Sequence, residues 1–234
     1  MTVTQAPPAL TPTIDAVTFD LYRDVHKAIR AELFAVVGDA GRLDPSDDCG
    51  VAALAAQVQQ TVQFLLEHAE HEDGSILPAL ELHAPAIAAR VTDDHHMLDA
   101  RMETLVEIAG AARIADSRRP LLHELYIELA AFTGTYLLHQ DFEERQVGQV
   151  LESAVGIDGV LAIHAAIIGN MPPQQLFASL ALMLPAMNVD DRTDLLGGTR
   201  ATAPAAAFDG AWSLAKSVLT PDDFQAVAVR LGLA

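Results

Sequence analysis

The chain has 234 residues, 51% of them hydrophobic and only 5% aromatic, with a formal net charge of −18. That is enough apolar material to bury a sizeable core, and its weight in Ala, Leu, Val and Ile favours an all-α protein. So acidic a balance argues against nucleic acid or an anionic membrane as partner, since both select a basic surface. The single cysteine, Cys49, leaves no disulfide framework and no thiolate metal site.

Residues 1–13 hold Pro7, Pro8 and Pro12, no basic residue and no apolar core, and read as a flexible tail rather than a signal peptide. From residue 14 to 37, Phe19, Tyr22, Ile29, Leu33 and Val37 share one helical stripe, and His26 falls on it. Residues 38–48, with Gly38, Gly41 and Pro45, read as a loop. A second helix is expected from near Gly50, capped by Asp47 or Asp48 and ending near Gly74-Ser75. Its inward face carries Leu54, Val58, Thr61, Leu65, His68 and Glu72.

Pro78 permits a short helical turn before Pro85, where a third helix starts. Its stripe is Ala88, Val91, His95, Leu98, Met102, Leu105 and Ala109, and His95 rather than His96 has apolar partners at i+3 and i+7. Residues 110–119 form a connection, and Pro120 suits the first turn of a fourth helix. That helix carries Leu125, Leu129, Phe132, Tyr136, His139, Phe142 and Glu143, then Val147 and Val150. Four long helices joined by loops predict an up-down-up-down bundle over residues 14–152.

Residues 153–234 are expected to form a smaller C-terminal helical appendage without a ligand cluster. Its helices are expected over 158–168 and 174–187, from Asp190 to Gly197-Gly198, over 205–219, and from Thr220-Pro221 to Gly232. The longest apolar run, 176–187, is broken by Pro185, so no segment is expected to span a bilayer and the chain reads as soluble and cytoplasmic.

One histidine on an apolar stripe is usually a satisfied core residue. Here each of the four helices carries one, and two of them (His68-x-x-x-Glu72 and His139-x-x-x-Glu143) have a glutamate one turn on, on the same face. Buried carboxylates need a proton, a partner or a cation. A metal would neutralise them and accept the imidazole nitrogens, so His26, His68, Glu72, His95, His139 and Glu143 are the expected ligands. Imidazole plus carboxylate suits iron, with manganese or zinc as alternatives, and two carboxylates among four imidazoles suit two ions. Asp99, four after His95, is a further candidate ligand, and Glu70 or Asp73 a candidate acceptor behind the ligands. His71, His83, His96, His123 and His164 read as flanking, surface or core residues.

The order His26, His68-x-x-x-Glu72, His95, His139-x-x-x-Glu143 resembles the hemerythrin-like (HHE cation-binding) family over roughly residues 14–152. The resemblance implies a four-helix bundle around a non-haem di-iron centre with an oxo or hydroxo bridge, the six residues as ligands and Glu72 and Glu143 bridging. The oxygen carriers of that family have a second histidine one turn along the third helix, where this chain has Asp99. They also lack the added length of residues 38–48 and 75–85. Those departures point away from simple oxygen carriage. The extension after residue 170 is similar to extensions of some bacterial members.

The expected function is therefore a di-iron protein that binds or senses O2, peroxide or NO. Two other readings compete with it: a di-iron enzyme acting on peroxide or NO, and an interaction protein with a structural bundle. The expected partners are a small diatomic or peroxo ligand, with no nucleic acid or membrane, and a protein partner or second copy at the C-terminal helices.

Overall fold

A computed structural model describes residues 17–234, so the expected tail at residues 1–13 lies outside the described residues. Among the described residues there are helices and no strand. In order they are α1 (Arg23–Arg42), α2 (Asp48–Ser75), α3 (Leu77–His83), α4 (Pro85–Ile114) and α5 (Arg118–Phe142). A π-helical turn, Glu143–Val147, joins α5 to α6 (Gly148–Asn170). Then come α7 (Pro173–Ala186), α8 (Val189–Thr202), α9 (Ala205–Val218) and α10 (Pro221–Leu231).

Helices α1, α2, α4 and α5 form the expected up-down-up-down bundle, each packed on two of the others. Its core is the set of stripes read from the sequence: Ile29 and Leu33 meet Leu54, Val58 and Leu65, then Leu98, Met102 and Leu105, then Leu125, Leu129 and Phe132. Fully burying a leucine such as Leu65 contributes about 1.5–3 kcal/mol, and that summed term holds the four stripes together.

Several boundaries differ from expectation. Helix α1 begins at Arg23 instead of residue 14, because the Asp20 carboxylate accepts the backbone N–H groups of Tyr22 and Arg23. At its other end α1 runs on through Gly38 and Gly41 to Arg42. The Arg42 guanidinium lies over Gly38 and the Tyr126 ring over Gly41, in space that a β-carbon would crowd. Gly110 and Gly197-Gly198 likewise fall inside α4 and α8 instead of ending them. A tertiary context that packs a helix outweighs the roughly 1 kcal/mol that glycine costs within it. Asp47, as expected, caps α2 by accepting from the Gly50 N–H.

The expected separate helix at 158–168 is instead the second half of α6, bent at Gly156 (φ 69°, ψ 172°), a conformation open to glycine. The bend lets Val160, Ile163 and Ile167 close on the apolar cluster that holds Tyr22, Leu80, Val91, Phe142, Val147 and Leu151. This second cluster covers the end of the bundle at which all four bundle histidines sit.

Helices α7–α10 build a core of their own from Leu184, Leu196, Ala211, Ala215, Leu219 and Val227. Helix α7 lies along α1 and sets Leu182, Met183 and Ala186 on the bundle core. Asp191 at the start of α8 pairs with Lys27 and with Arg23 (3.4 Å), on either side of His26 in sequence. The helical run Arg118–Asn170 contains an 18-residue window of mean hydropathy 1.6 that is only 11% buried. By length and composition alone, one helix among the described residues is thus apolar enough to cross a membrane.

Candidate metal centre

His26 on α1, His68 and Glu72 on α2, His95 on α4, His139 on α5 and Glu143 on the π-turn are all buried. They converge at one end of the bundle, between its core and the covering cluster. The i, i+4 spacing does locally what the sequence suggested. His68 Nε2 lies 3.2 Å from Glu72 Oε1, and His139 Nε2 lies 3.1 Å from Glu143 Oε1. The two glutamates then reach across the bundle. Glu72 Oε2 is 3.3 Å from His95 Nε2, and Glu143 Oε2 is 3.4 Å from His26 Nε2.

The donor atoms fall into two tetrads. One comprises His26, His68, Glu72 and Glu143, the other Glu72, His95, His139 and Glu143, and within each the donor atoms lie within 4.8 Å of one another. Both glutamates belong to both tetrads, and each tetrad adds two imidazoles. The ring pairs match this division: His26 stands edge-on to His68, as does His95 to His139, with centroid separations of 5.3 and 5.0 Å.

These atoms fit cations on chemical grounds. Nε2 of His26, His68 and His95, both oxygens of Glu72 and Oε2 of Glu143 are buried with no hydrogen-bond partner, despite their closeness to one another. A stable core does not leave six such atoms orphaned in one place without something to receive their lone pairs. Hard and borderline ions with oxygen and imidazole ligands suit the set.

Two of the outward nitrogens are held by carboxylates, while that of His139 has one nearby without a hydrogen bond. His26 Nδ1–H donates to Glu144 Oε1 and His95 Nδ1–H to Asp73 Oδ1, each at 2.9 Å, and His139 Nδ1 lies 3.5 Å from Asp94. Such bonds turn Nε2 inward and fix the tautomer that can ligate. Asp73 was a candidate acceptor from sequence. Glu144 and Asp94 were not, because their roles depend on which helices face each other.

Charge accumulates accordingly in the metal-free site. Burial, then the charge of Glu143, raises Glu72 to about 7. Burial would raise Glu143 too, but His139 and His26 hold it well below the ordinary carboxylate range. Burial alone would depress His26 and His95, yet the first is carried up to about 9 by Glu143 and Glu144, and the second to about 10 by Asp73 and Glu72. Burial and the neighbouring His26 push His68 far down, leaving it a neutral imidazole. Without metal, protons on imidazoles supply the positive charge that the buried glutamates require.

Tyr22 packs its ring 5.1 Å from His26, and Tyr136 lies 5.8 Å from His139. Burial first, and then Glu72 and Glu143, keep both phenols protonated far above the usual range. Asp99 joins neither tetrad, although its charge is felt by Tyr136. His71 and His164 are part-buried, the latter against Phe19 at 5.0 Å, while His83, His96 and His123 are exposed. Among the described residues, no metal-capable group falls in α7–α10.

No curated protein and no solved structure matches the chain. Residues 17–166 match the hemerythrin HHE cation binding domain. That span takes in all six converging side chains and the part of α6 that covers them. With more than half of its length matched, the chain belongs to the hemerythrin HHE cation-binding domain family.

Proposed function

We propose that the protein holds two iron ions, with Glu72 and Glu143 bridging them, His26 and His68 completing one ion's protein ligands, and His95 and His139 the other's. It uses this centre to bind or sense O2, peroxide or NO. The observation that carries the reading is the sharing of two buried carboxylates between two imidazole pairs. Four protein donors per ion leave positions open on a metal that prefers six, and manganese or zinc would accept the same donors. Bound there, iron supplies open coordination positions and a change of oxidation state to a small ligand.

The chain's own residues set the conditions for that chemistry. Leu65, Leu98 and Met102 on the bundle side, and Val91, Phe142 and Val147 on the covering side, are 5% exposed or less and exclude bulk water. Tyr22 and Tyr136 place protonated phenols beside the imidazoles. Glu144 and Asp73 hold the rings of His26 and His95.

Metal analysis with an absorption spectrum of the purified chain tests this. About two irons per chain are expected, with near-ultraviolet bands that change on reduction or on adding peroxide or NO. A chain from iron-replete cells that carries no iron and takes up none on reconstitution would sink the reading. One observation favours turnover of the ligand over binding or sensing it. Asp99 stands outside both tetrads, one turn after His95, where a further imidazole would close the coordination of one ion. Steady consumption of peroxide or NO by the iron-loaded chain would establish that second reading.

A further inference from the structure

The π-helical turn begins at the residue that supplies a bridging carboxylate. The Gly148 N–H reaches back five residues to the Glu143 carbonyl, which widens the helix here. Consecutive carboxylates thereby meet one ring. Glu143 approaches His26 Nε2 at 3.4 Å while Glu144 takes its Nδ1–H at 2.9 Å. The same Oε1 of Glu144 accepts from Arg30 Nη1 at 2.9 Å, one turn further along α1. The Glu144 side chain is 22% exposed, against 47% for Asp73 behind His95. Asp94 stands farther from its ring, at 3.5 Å. Of the three carboxylates beside the imidazoles, Glu144 is the most enclosed, and its arginine is closer, at 2.9 Å, than Arg90 is to Asp94, at 3.7 Å.

We infer that Glu144, braced by Arg30, is a positioning residue for the ion of the His26–His68 half, and that the π-turn serves to set residues 143 and 144 on the two nitrogens of His26. The inference rests on the two-ion reading above. Glu144 does not touch a metal; it acts through His26. It fixes the ring plane, keeps the proton on Nδ1 and makes Nε2 the better donor. Because Glu144 bonds neither His95, whose acceptor is Asp73, nor His139, the effect is confined to one half of the centre.

Titration of the metal-free full chain with cobalt(II) tests it, with calorimetry for stoichiometry and affinity and visible absorption for coordination. Two ions are expected for the unchanged chain. Glu144→Gln is expected to keep one at unchanged affinity and weaken the other about 10–100-fold, with its visible bands altered. Arg30→Met is expected to weaken the same ion by a smaller factor, and Glu144→Asp to restore part of the loss. Should Glu144→Gln fail to fold by circular dichroism, Arg30→Met and Glu144→Asp decide by the same criterion. Two ions bound within about twofold of the unchanged chain, or both weakened equally, would overturn the role of Glu144 while leaving the two-ion centre standing. An unchanged chain that binds no cobalt overturns the centre itself, and the inference with it.

Discussion

Glu72 and Glu143 come from helices on opposite corners of the bundle, yet their carboxylates meet within 4.8 Å in a fully enclosed site. Even with protons on the neighbouring imidazoles, burial and the charge of Glu143 raise Glu72 to about 7, so its ionised form is disfavoured in the metal-free site. Glu72→Gln removes one charge at nearly constant shape, so it should act with opposite sign in the two states of the protein. Without metal, the variant is expected to be more stable by about 1 kcal/mol or more, a rise in Tm of about 2–4 °C per kcal/mol for a chain of this size. Iron-loaded preparations should lose metal and melt lower than the unchanged chain. Melting curves with and without a chelator measure both, and a fall in Tm in both states would contradict the bridging role.

His68 and His139 stand in different tetrads, although each sits one turn before a shared glutamate. His68→Ala and His139→Ala should therefore each release one ion in preference to the other. Metal analysis is expected to give about one iron per chain for each variant, against about two for the unchanged chain. Full retention by either variant would remove that histidine from the ligand set.

Much of the site was legible because helical period and burial are local properties. Once His68 shares a stripe with Leu65 and Val58, its inward direction follows, and the same holds for His26, His95 and His139. What α7–α10 dock against could not be read that way, because it depends on Asp191 finding Lys27 across the chain. Glu144 was invisible for a related reason. Regular helical geometry turns it about 100° away from Glu143, and only the π-turn, which no propensity in Glu-Glu-Arg-Gln-Val announces, brings both to one ring. Loops predicted at Gly38, Gly110 and Gly197 failed because glycine signals a turn only where packing leaves the helix free to end.

Gly156 and Gly110 should respond in opposite directions to the same change. Nothing lies within 4 Å of a β-carbon added at either, so neighbours do not decide the outcome. Backbone conformation does. Gly156 has φ 69°, ψ 172°, and Gly156→Ala is expected to cost about 1–3 kcal/mol and loosen the α6 cover over the site. Gly110 is helical, and Gly110→Ala is expected to stabilise by about 0.4–1 kcal/mol. Denaturant midpoints of the two variants at unchanged m-value check the pair.

Asp191 fastens α7–α10 to the helix that carries His26, which makes the contact separable from the metal site by experiment. Burial would raise its carboxyl, but the Lys27 hydrogen bond and the charges of Lys27 and Arg23 hold it below the ordinary value. A group depressed in this way contributes stability that is present above its unfolded value, about 3.9, and is lost as pH falls through the lower folded value. Docking should therefore hold from neutral pH down to about pH 4 and weaken only below it. Asp191→Asn should reproduce the acid state at neutral pH. Losing a charge-assisted bond worth about 1.5–3 kcal/mol is expected to speed amide exchange in α7 about 10–100-fold. The six residues of the proposed metal site lie in the bundle and the π-turn, so the metal content of the variant is expected to stay unchanged. Unaltered exchange in α7 would show that the apolar contacts of Leu182, Met183 and Ala186 with the bundle core hold the docking without the ion pair.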